Sequence, residues 1–245
     1  MGLARYIRLN NINENALGFQ IAQAMMKPNV TIGERIGGVE CLAALARNGY
    51  PMDNEEVLRF LFTALSRASA PELAETAAIC LLYAKPELAT RTAEAFLAEI
   101  RSDDKNRPVR VNVLLLKGLD NLMGKLAQNI AESRDADKSR ATAMAIMELM
   151  VQAVSTPGVD GRLVDIGVVS LGGLPRSLDR QKAVAGLIVA LKNHPERAQA
   201  IEESLMQFKR GELFRTIDDK PDVDQWMAWL EKNLDRLKPG AAPYL

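Results

Sequence analysis

Three apolar stretches of the sequence each end at a tight break with a proline, and an amphipathic stretch follows each proline. These stretches are CLAALARNGYP (41–51), CLLYAKP (80–86) and VSLGGLP (169–175). Proline cannot continue a helix that is already formed, but it fits the first turn of the next one, where its missing N–H costs nothing. The pattern therefore predicts pairs of helices that are divided at a proline.

The spacing of these prolines indicates a repeat. Pro51 and Pro86 are 35 residues apart, and Pro175 follows 89 residues later, which is about two units. The intervening unit falls in two long helical stretches around 108–154. Periods of roughly 35–47 residues that contain two helices are typical of stacked helical hairpins. We therefore predict an all-α fold, an α-solenoid of stacked hairpins with about 10–11 helices.

Capping signals and apolar periodicity set the predicted helix boundaries. Three pairs have the spacing of a capping box: Thr31 with Glu34, Asp53 with Glu56, and Asp222 with Gln225. The phrase PELA occurs twice and marks helix starts at Pro71 and Pro86. The predicted helices lie near 13–26, 31–47, 53–68, 71–84, 86–102, 108–132, 136–154, 160–172, 177–193, 195–209 and 222–237. The stretch 160–172 is rich in Val and Ile and would also suit a strand, but its helical neighbours favour a helix.

We predict one helical-repeat domain over residues 1–245. Residues 1–30 are expected to form N-terminal cap helices, and residues 210–245 a C-terminal cap helix and tail. Terminal repeats need an atypical cap that covers the last apolar face. Trp226 and Trp229 fit the apolar face of such a helix.

The two-helix unit with a proline at its internal break resembles the HEAT and armadillo class of repeats, over residues 31–193. In that class the second helix of each unit lines a concave face that grips other proteins. The resemblance therefore implies an interaction surface, and it carries over no particular functional residue. Since the units here differ in length, a compact irregular helical domain is the alternative.

The charge balance bears on the class of partner. Lys and Arg number 31, and Asp and Glu also number 31, so the formal net charge is zero. A chain that mainly binds nucleic acid usually has a basic excess, so we expect a protein partner and regard nucleic acid as the less favoured partner.

Cys41 and Cys80 lie in apolar helical runs and are expected to be buried, reduced thiols. With no secretory signal pattern and no apolar run long enough to span a bilayer, we expect a cytoplasmic protein.

The sequence offers no catalytic grouping, and we expect no enzyme activity, no cofactor and no metal. The glycine pattern of a dinucleotide site and the G-K-[ST] of a phosphate-binding loop are both absent. His194 is the single histidine; its position beside Pro195 predicts an exposed turn residue. One histidine and two well-separated cysteines do not supply an ordinary zinc site. The acidic run DDKPDVD (218–224) is interpreted as a solvated loop, with Asp222 as a helix cap.

Our leading hypothesis is a non-enzymatic protein–protein interaction module, either an adaptor or a structural subunit of a larger assembly. We expect the partner to contact the exposed polar positions of the second helices, namely Arg59, Arg91, Glu94 and Lys182. The alternative is a helical-repeat nucleic-acid-binding protein or a DNA glycosylase-like enzyme, which would use Arg91 and the stretch RSDDKNRPVR (101–110). A third hypothesis is a subunit that docks a neighbour through the stripe Met144, Met147 and Met150 or the tail KPGAAPYL (238–245).

Overall fold

The computed structural model describes residues 2–66, 70–102, 107–209 and 211–239, and it confirms an all-α fold over these residues. They contain twelve α-helices and no strand; an isolated antiparallel bridge joins Arg215 and Pro221. By its internal contacts, the chain forms two compact units, Met1–Leu122 and Met123–Leu245, which we call unit 1 and unit 2.

Unit 1 contains six complete helices and the start of a seventh, among its described residues. They are α1 (Leu3–Leu9), α2 (Asn15–Met25), α3 (Ile32–Arg47), α4 (Glu55–Leu65), α5 (Pro71–Leu81), α6 (Ala89–Arg101) and α7 (Val109–Ala131), whose last residues belong to unit 2. A 3-10 turn at Pro86–Leu88 leads into α6. Helix α3 packs against α1, α2 and α5, and α4 packs against α2 and α5.

Unit 2 contains five further helices in the part of it that the structure describes. They are α8 (Ala136–Ser155), α9 (Gly161–Gly172), α10 (Gln181–Asn193), α11 (Ala198–Leu205) and α12 (Val223–Asn233), with 3-10 turns at Pro195–Arg197 and Leu234–Leu237. Helix α10 packs against α8, α11 and α12, and α9 packs against α8 and α11. The stretch 160–172 is therefore a helix, as predicted.

Local signals explain most helix starts. The Thr31 hydroxyl accepts the Glu34 N–H, and the Glu34 carboxylate accepts the Thr31 N–H at 2.8 Å, which is the predicted capping box. The predicted cap at Asp222 also forms, since its carboxylate accepts the Gln225 N–H at 3.0 Å. The predicted cap at Asp53 is wrong: Asn54 caps α4 by accepting the N–H groups of Glu56 and Val57.

Two other details differ from the sequence predictions. Helix α1 lies within the predicted cap of residues 1–30, but the individual helices predicted begin only at residue 13; α1 has no side-chain cap and no acidic residue in its first turn, so it lacks the local signals of a helix start. His194, which directly precedes the turn at Pro195–Arg197, is buried rather than exposed, because residues distant in sequence cover it within unit 2. The end predicted for α4 reaches residues 67 and 68, which lie outside the described residues.

The core of each unit is aliphatic, with a few large aromatic side chains. Phe60 and Phe96 are fully buried in unit 1, and Phe208 and Trp226 in unit 2. Both cysteines are free and buried, as predicted. None of the described helices has the length and apolar character that crossing a bilayer requires.

Candidate functional site

Two of the predicted partner-binding residues, Arg59 and Arg91, lie together on unit 1. They line one shallow recess between α4 and α6, together with Glu55 and Phe62. We call the surface formed by Glu55, Arg59, Phe62 and Arg91 the α4–α6 patch. The sequence predicted both arginines as exposed polar positions, and the fold brings them to one place.

A bidentate ion pair fixes Arg91 within this patch. Its two terminal nitrogens donate to the two carboxylate oxygens of Glu55 at 2.6 and 2.8 Å. Its guanidinium also lies 5.6 Å from the centre of the Phe62 ring, within reach of a cation–π interaction. Hydrogen bonding to Arg91 lowers the pKa of the Glu55 carboxyl, so the pair stays charged at neutral pH.

Arg59 lies on the solvent side of the patch. It pairs with Glu56 one helical turn earlier, and 61% of its side chain is exposed. Exposed ion pairs of this kind contribute little to stability, so they can be exchanged for pairs with a partner at small cost. Glu94 was predicted to be exposed, but it is half-buried on α6. It is not among the described residues that line the recess.

The fourth predicted residue, Lys182, lies on unit 2 in a comparable setting. Its ammonium donates to Glu148 at 2.7 Å, across α8 and α10, and this contact raises the pKa of Lys182. Beside the pair runs a shallow apolar groove that includes Val151 and Val189. We call the surface formed by Glu148, Val151, Lys182 and Val189 the α8–α10 patch.

The two patches share a pattern that the sequence alone did not reveal. In each, an acidic residue on one even-numbered helix pairs with a basic residue on the next, 36 residues later in unit 1 and 34 residues later in unit 2. Each pair lies beside an apolar side chain that is at least partly exposed, Phe62 or Val189. The even-numbered helices are the predicted second helices of the hairpins. In the structure, however, α2 packs against α3, α4 against α5, α8 against α9 and α10 against α11, so the even-numbered helix comes first in each packed pair.

Three of the basic residues that the nucleic-acid alternative relied on are paired with carboxylates. Arg91 pairs with Glu55, Arg107 with Glu99 at 2.7 Å, and Arg110 with Glu75 at 2.6 Å. The Arg107 pair is buried, so it cannot face a phosphate backbone without unfolding locally. Arg101 is exposed at the end of α6. Residues 103–106 of the same predicted stretch lie outside the described residues.

The structure places most of the methionine stripe in the core of unit 2. Met147 and Met150 are buried, and Met144 is half-buried. The surface it would offer a neighbour is therefore small. Residues 240–245 of the predicted docking tail lie outside the described residues.

A further surface of unit 1 was missed by the sequence analysis. Helices α1, α3 and α5 border a recess of about 520 Å³ that is lined in part by Arg5, Arg8, Arg47 and Ile79. Helix α1 forms one side of the recess, and the sequence analysis missed it because α1 has no capping signal. One feature of the sequence could have pointed to this surface: Arg5 and Arg8 are three residues apart, so they lie on the same face of a helix.

The described residues contain no group of three or more His, Cys, Asp or Glu side chains arranged to hold a metal ion. Comparisons with protein-family models, with curated proteins and with solved structures found no match.

Proposed function

We propose that this chain is a non-enzymatic protein–protein interaction module, an adaptor or a structural subunit of a larger assembly. In this proposal it is built as an α-solenoid of stacked hairpins similar to HEAT repeats. It binds its protein partner through the even-numbered helices, the predicted second helices.

Helix packing inside each unit supports the repeat architecture. In unit 1, α3 packs against both α1 and α5, and α2 packs against α4; in unit 2, α10 packs against both α8 and α12, and α9 packs against α11. Each of these helices thus contacts the helix two places along the chain. Stacked hairpins require this, because the first helix of one hairpin packs on the first helix of the next, and likewise for the second helices.

The observation that carries the functional proposal is the pairing of Glu55 with Arg91 and of Glu148 with Lys182. Both pairs link consecutive even-numbered helices, the predicted second helices, at separations of 36 and 34 residues. Both are exposed and lie beside apolar groups, so a partner that buries the apolar group can also engage the charged pair. Arginine beside an aromatic ring is a frequent composition at protein interfaces.

Affinity capture from native lysate, followed by a binding measurement on the purified partner, tests the proposal. The decisive variant is Arg59→Glu with Arg91→Glu, which reverses the charge of the α4–α6 patch. Placing negative charge beside Glu55 and Glu56 should weaken binding of the identified partner by about tenfold or more.

The matched control is Arg140→Glu with Lys232→Glu, which reverses two exposed cations outside both patches. The control should bind like the natural chain. Equal affinity of the patch variant and the control would contradict the proposed surface. Binding to short duplex DNA that weakens steeply with salt, in place of a protein partner, would favour the nucleic-acid alternative.

A further inference from the structure

The recess bordered by α1, α3 and α5, which we call the α1–α3–α5 groove, has an apolar base and a basic rim. Ala43 and Ala44 of α3 lie at its base, and Ile79 of α5 is exposed on one side. Arg5 and Arg8 of α1 lie on the opposite side, and Arg47 lies on α3. The volume of about 520 Å³ is enough to receive a short peptide segment.

The positive charge of this groove is largely uncompensated. Arg5 and Arg8 are exposed, and neither forms an ion pair with a described residue. Arg47 donates to the Tyr83 hydroxyl at 2.9 Å and lies 5.0 Å from the centre of its ring, so it is held in place by a neutral partner. Glu40 is the one acidic side chain among the described residues that line the groove. The groove therefore favours an acidic segment that carries an apolar side chain.

Unit 2 presents a segment in which an exposed apolar side chain lies beside two carboxylates, with Arg215 and Lys220 on either side; Arg215 lies 3.9 Å from the Asp219 carboxylate. A tight turn over residues 216–220, which we call the Ile217 turn, carries Ile217, Asp218 and Asp219 at its tip. Ile217 is the most exposed large apolar residue of the described chain, at 105% of its reference area, and the Asp219 side chain is 91% exposed. An isolated exposed apolar residue is common and alone indicates no partner; at this turn, two exposed carboxylates, those of Asp218 and Asp219, lie next to it.

The Ile217 turn is held firmly in its conformation. The Thr216 N–H donates to the Lys220 carbonyl at 2.8 Å, and the Asp219 N–H donates to the Thr216 carbonyl at 3.0 Å. Arg215 anchors the turn by pairing with the buried Glu202 at 2.7 Å and donating to the Asp219 carbonyl at 2.9 Å. Because the turn is already ordered, docking its tip costs little conformational entropy.

We propose that the Ile217 turn of one copy docks in the α1–α3–α5 groove of a second copy. Ile217 would contact Ile79 and the alanines of α3, and the carboxylates of Asp218 and Asp219 would pair with the groove arginines. The two surfaces differ, so the contact is heterologous and can build dimers or longer chains of copies. This self-association is independent of the α4–α6 and α8–α10 patches.

Sedimentation velocity on the full chain over a concentration series tests the proposal. At low salt the natural chain should associate as concentration rises, and at about 1 M salt it should dissociate, since the Debye length falls to about 3 Å. Arg5→Glu with Arg8→Glu, Asp218→Arg with Asp219→Arg, and Ile217→Ser should each weaken association by about tenfold or more. Circular dichroism checks that each variant is folded.

Mixing the two charge-reversed variants gives the sharpest outcome. The groove variant keeps an intact turn and the turn variant keeps an intact groove, so mixing the two should restore association although neither associates alone. A chain that carries all four reversals should associate again. Two controls, Arg140→Glu with Lys232→Glu and Val169→Ser, should behave like the natural chain.

Three results would overturn the proposal. The first is a natural chain that stays monomeric at every concentration up to about 1 mM, which would put the Kd for self-association above that value. The second is association that the groove and turn variants leave unchanged. The third is association that disappears after nuclease treatment, which would identify the basic groove as a nucleic-acid site. None of these results bears on the α4–α6 patch, whose test uses a different pair of variants.

Discussion

The guanidinium of Arg107 lies 2.7 Å from the carboxylate of Glu99 inside unit 1, where the two side chains are only 4% and 10% exposed. Arg107 also donates to the Ser102 hydroxyl at 2.6 Å. A buried ion pair is costly to break, because removing one partner leaves the other charged and without compensation. This pair connects the end of α6 with the residues just before α7.

We expect Glu99→Ala or Arg107→Ala to lower the free energy of unfolding by about 3–5 kcal/mol. Replacing both residues by methionine should cost much less, since no charge is then left buried. Urea unfolding followed by far-UV circular dichroism measures the effect. If the single variants and the double variant lose the same stability, the pair is not the reason for the loss.

Two glycines of α7 should respond to alanine in opposite directions. A Cβ at Gly118 would overlap the buried ring of Phe96, whereas a Cβ at Gly124 would meet nothing within 4 Å. We expect Gly118→Ala to destabilise by about 1–3 kcal/mol through overpacking, and Gly124→Ala to stabilise by about 0.5–1 kcal/mol through helix propensity. Thermal unfolding of the two variants provides the comparison. Equal shifts would show that Gly118 is not packed against Phe96.

Both cysteines should be inert in the folded protein. Burial raises the pKa of the Cys41 thiol and raises that of Cys80 further, and the Cys80 sulfur lies 3.9 Å from the Met52 sulfur inside unit 1. Since the thiolate is the reactive form, we expect a thiol reagent to label neither residue in native buffer and both in urea. Rapid labelling of one thiol in native buffer would reveal local opening around it.

Glu202 should make the stability of unit 2 depend on pH. Burial raises the pKa of its carboxyl above the ordinary value of 4.5, while Arg215 acts to lower it and Asp219 to raise it. The folded state then binds this proton more tightly than the unfolded state, so its contribution to stability is complete at low pH and is lost as pH rises above 4.5 toward the folded pKa.

The variant Glu202→Gln cannot titrate at this position. As pH rises from about 4 to 7, the natural chain should lose stability that the variant keeps. We therefore expect the free energy of unfolding of the variant to gain relative to that of the natural chain over this range. Removing Arg215 from both chains should enlarge this gain, because Arg215 favours the charged form of the Glu202 carboxyl. Both tryptophans belong to unit 2, so their fluorescence during urea unfolding reports on it. Parallel pH curves for the two chains would contradict this account.

Local sequence signals predicted most of the helices. The capping box at Thr31, the proline at Pro71 and the cap at Asp222 all mark observed starts, because each satisfies or removes backbone donors within its own turn. The Asp53 prediction failed because Asp and Asn are equally good caps. Which of the neighbours Asp53 and Asn54 caps α4 depends on the path of the chain before the helix.

Contacts between distant parts of the chain could not be predicted. His194 is next to a proline at a helix break, which locally predicts exposure, yet packing in unit 2 buries it. For the candidate surface, the polar stripes predicted Arg59, Arg91 and Lys182, but not their arrangement. Glu55 lies 36 residues before its partner Arg91, and Glu148 lies 34 residues before its partner Lys182. Each pair forms only because two helices distant in sequence pack side by side.

The central claim is that the α4–α6 patch contacts a protein partner, and site-specific photo-crosslinking tests it most directly. A photoreactive residue at Thr63, which is exposed in the recess beside Arg59, should give a discrete protein adduct in native lysate. The same residue at the exposed position of Asn121 serves as the control and should not give that adduct. Charge reversal of Arg59 and Arg91 should abolish the Thr63 adduct. Equal labelling at both positions, or an adduct that survives the charge reversal, would contradict the claim.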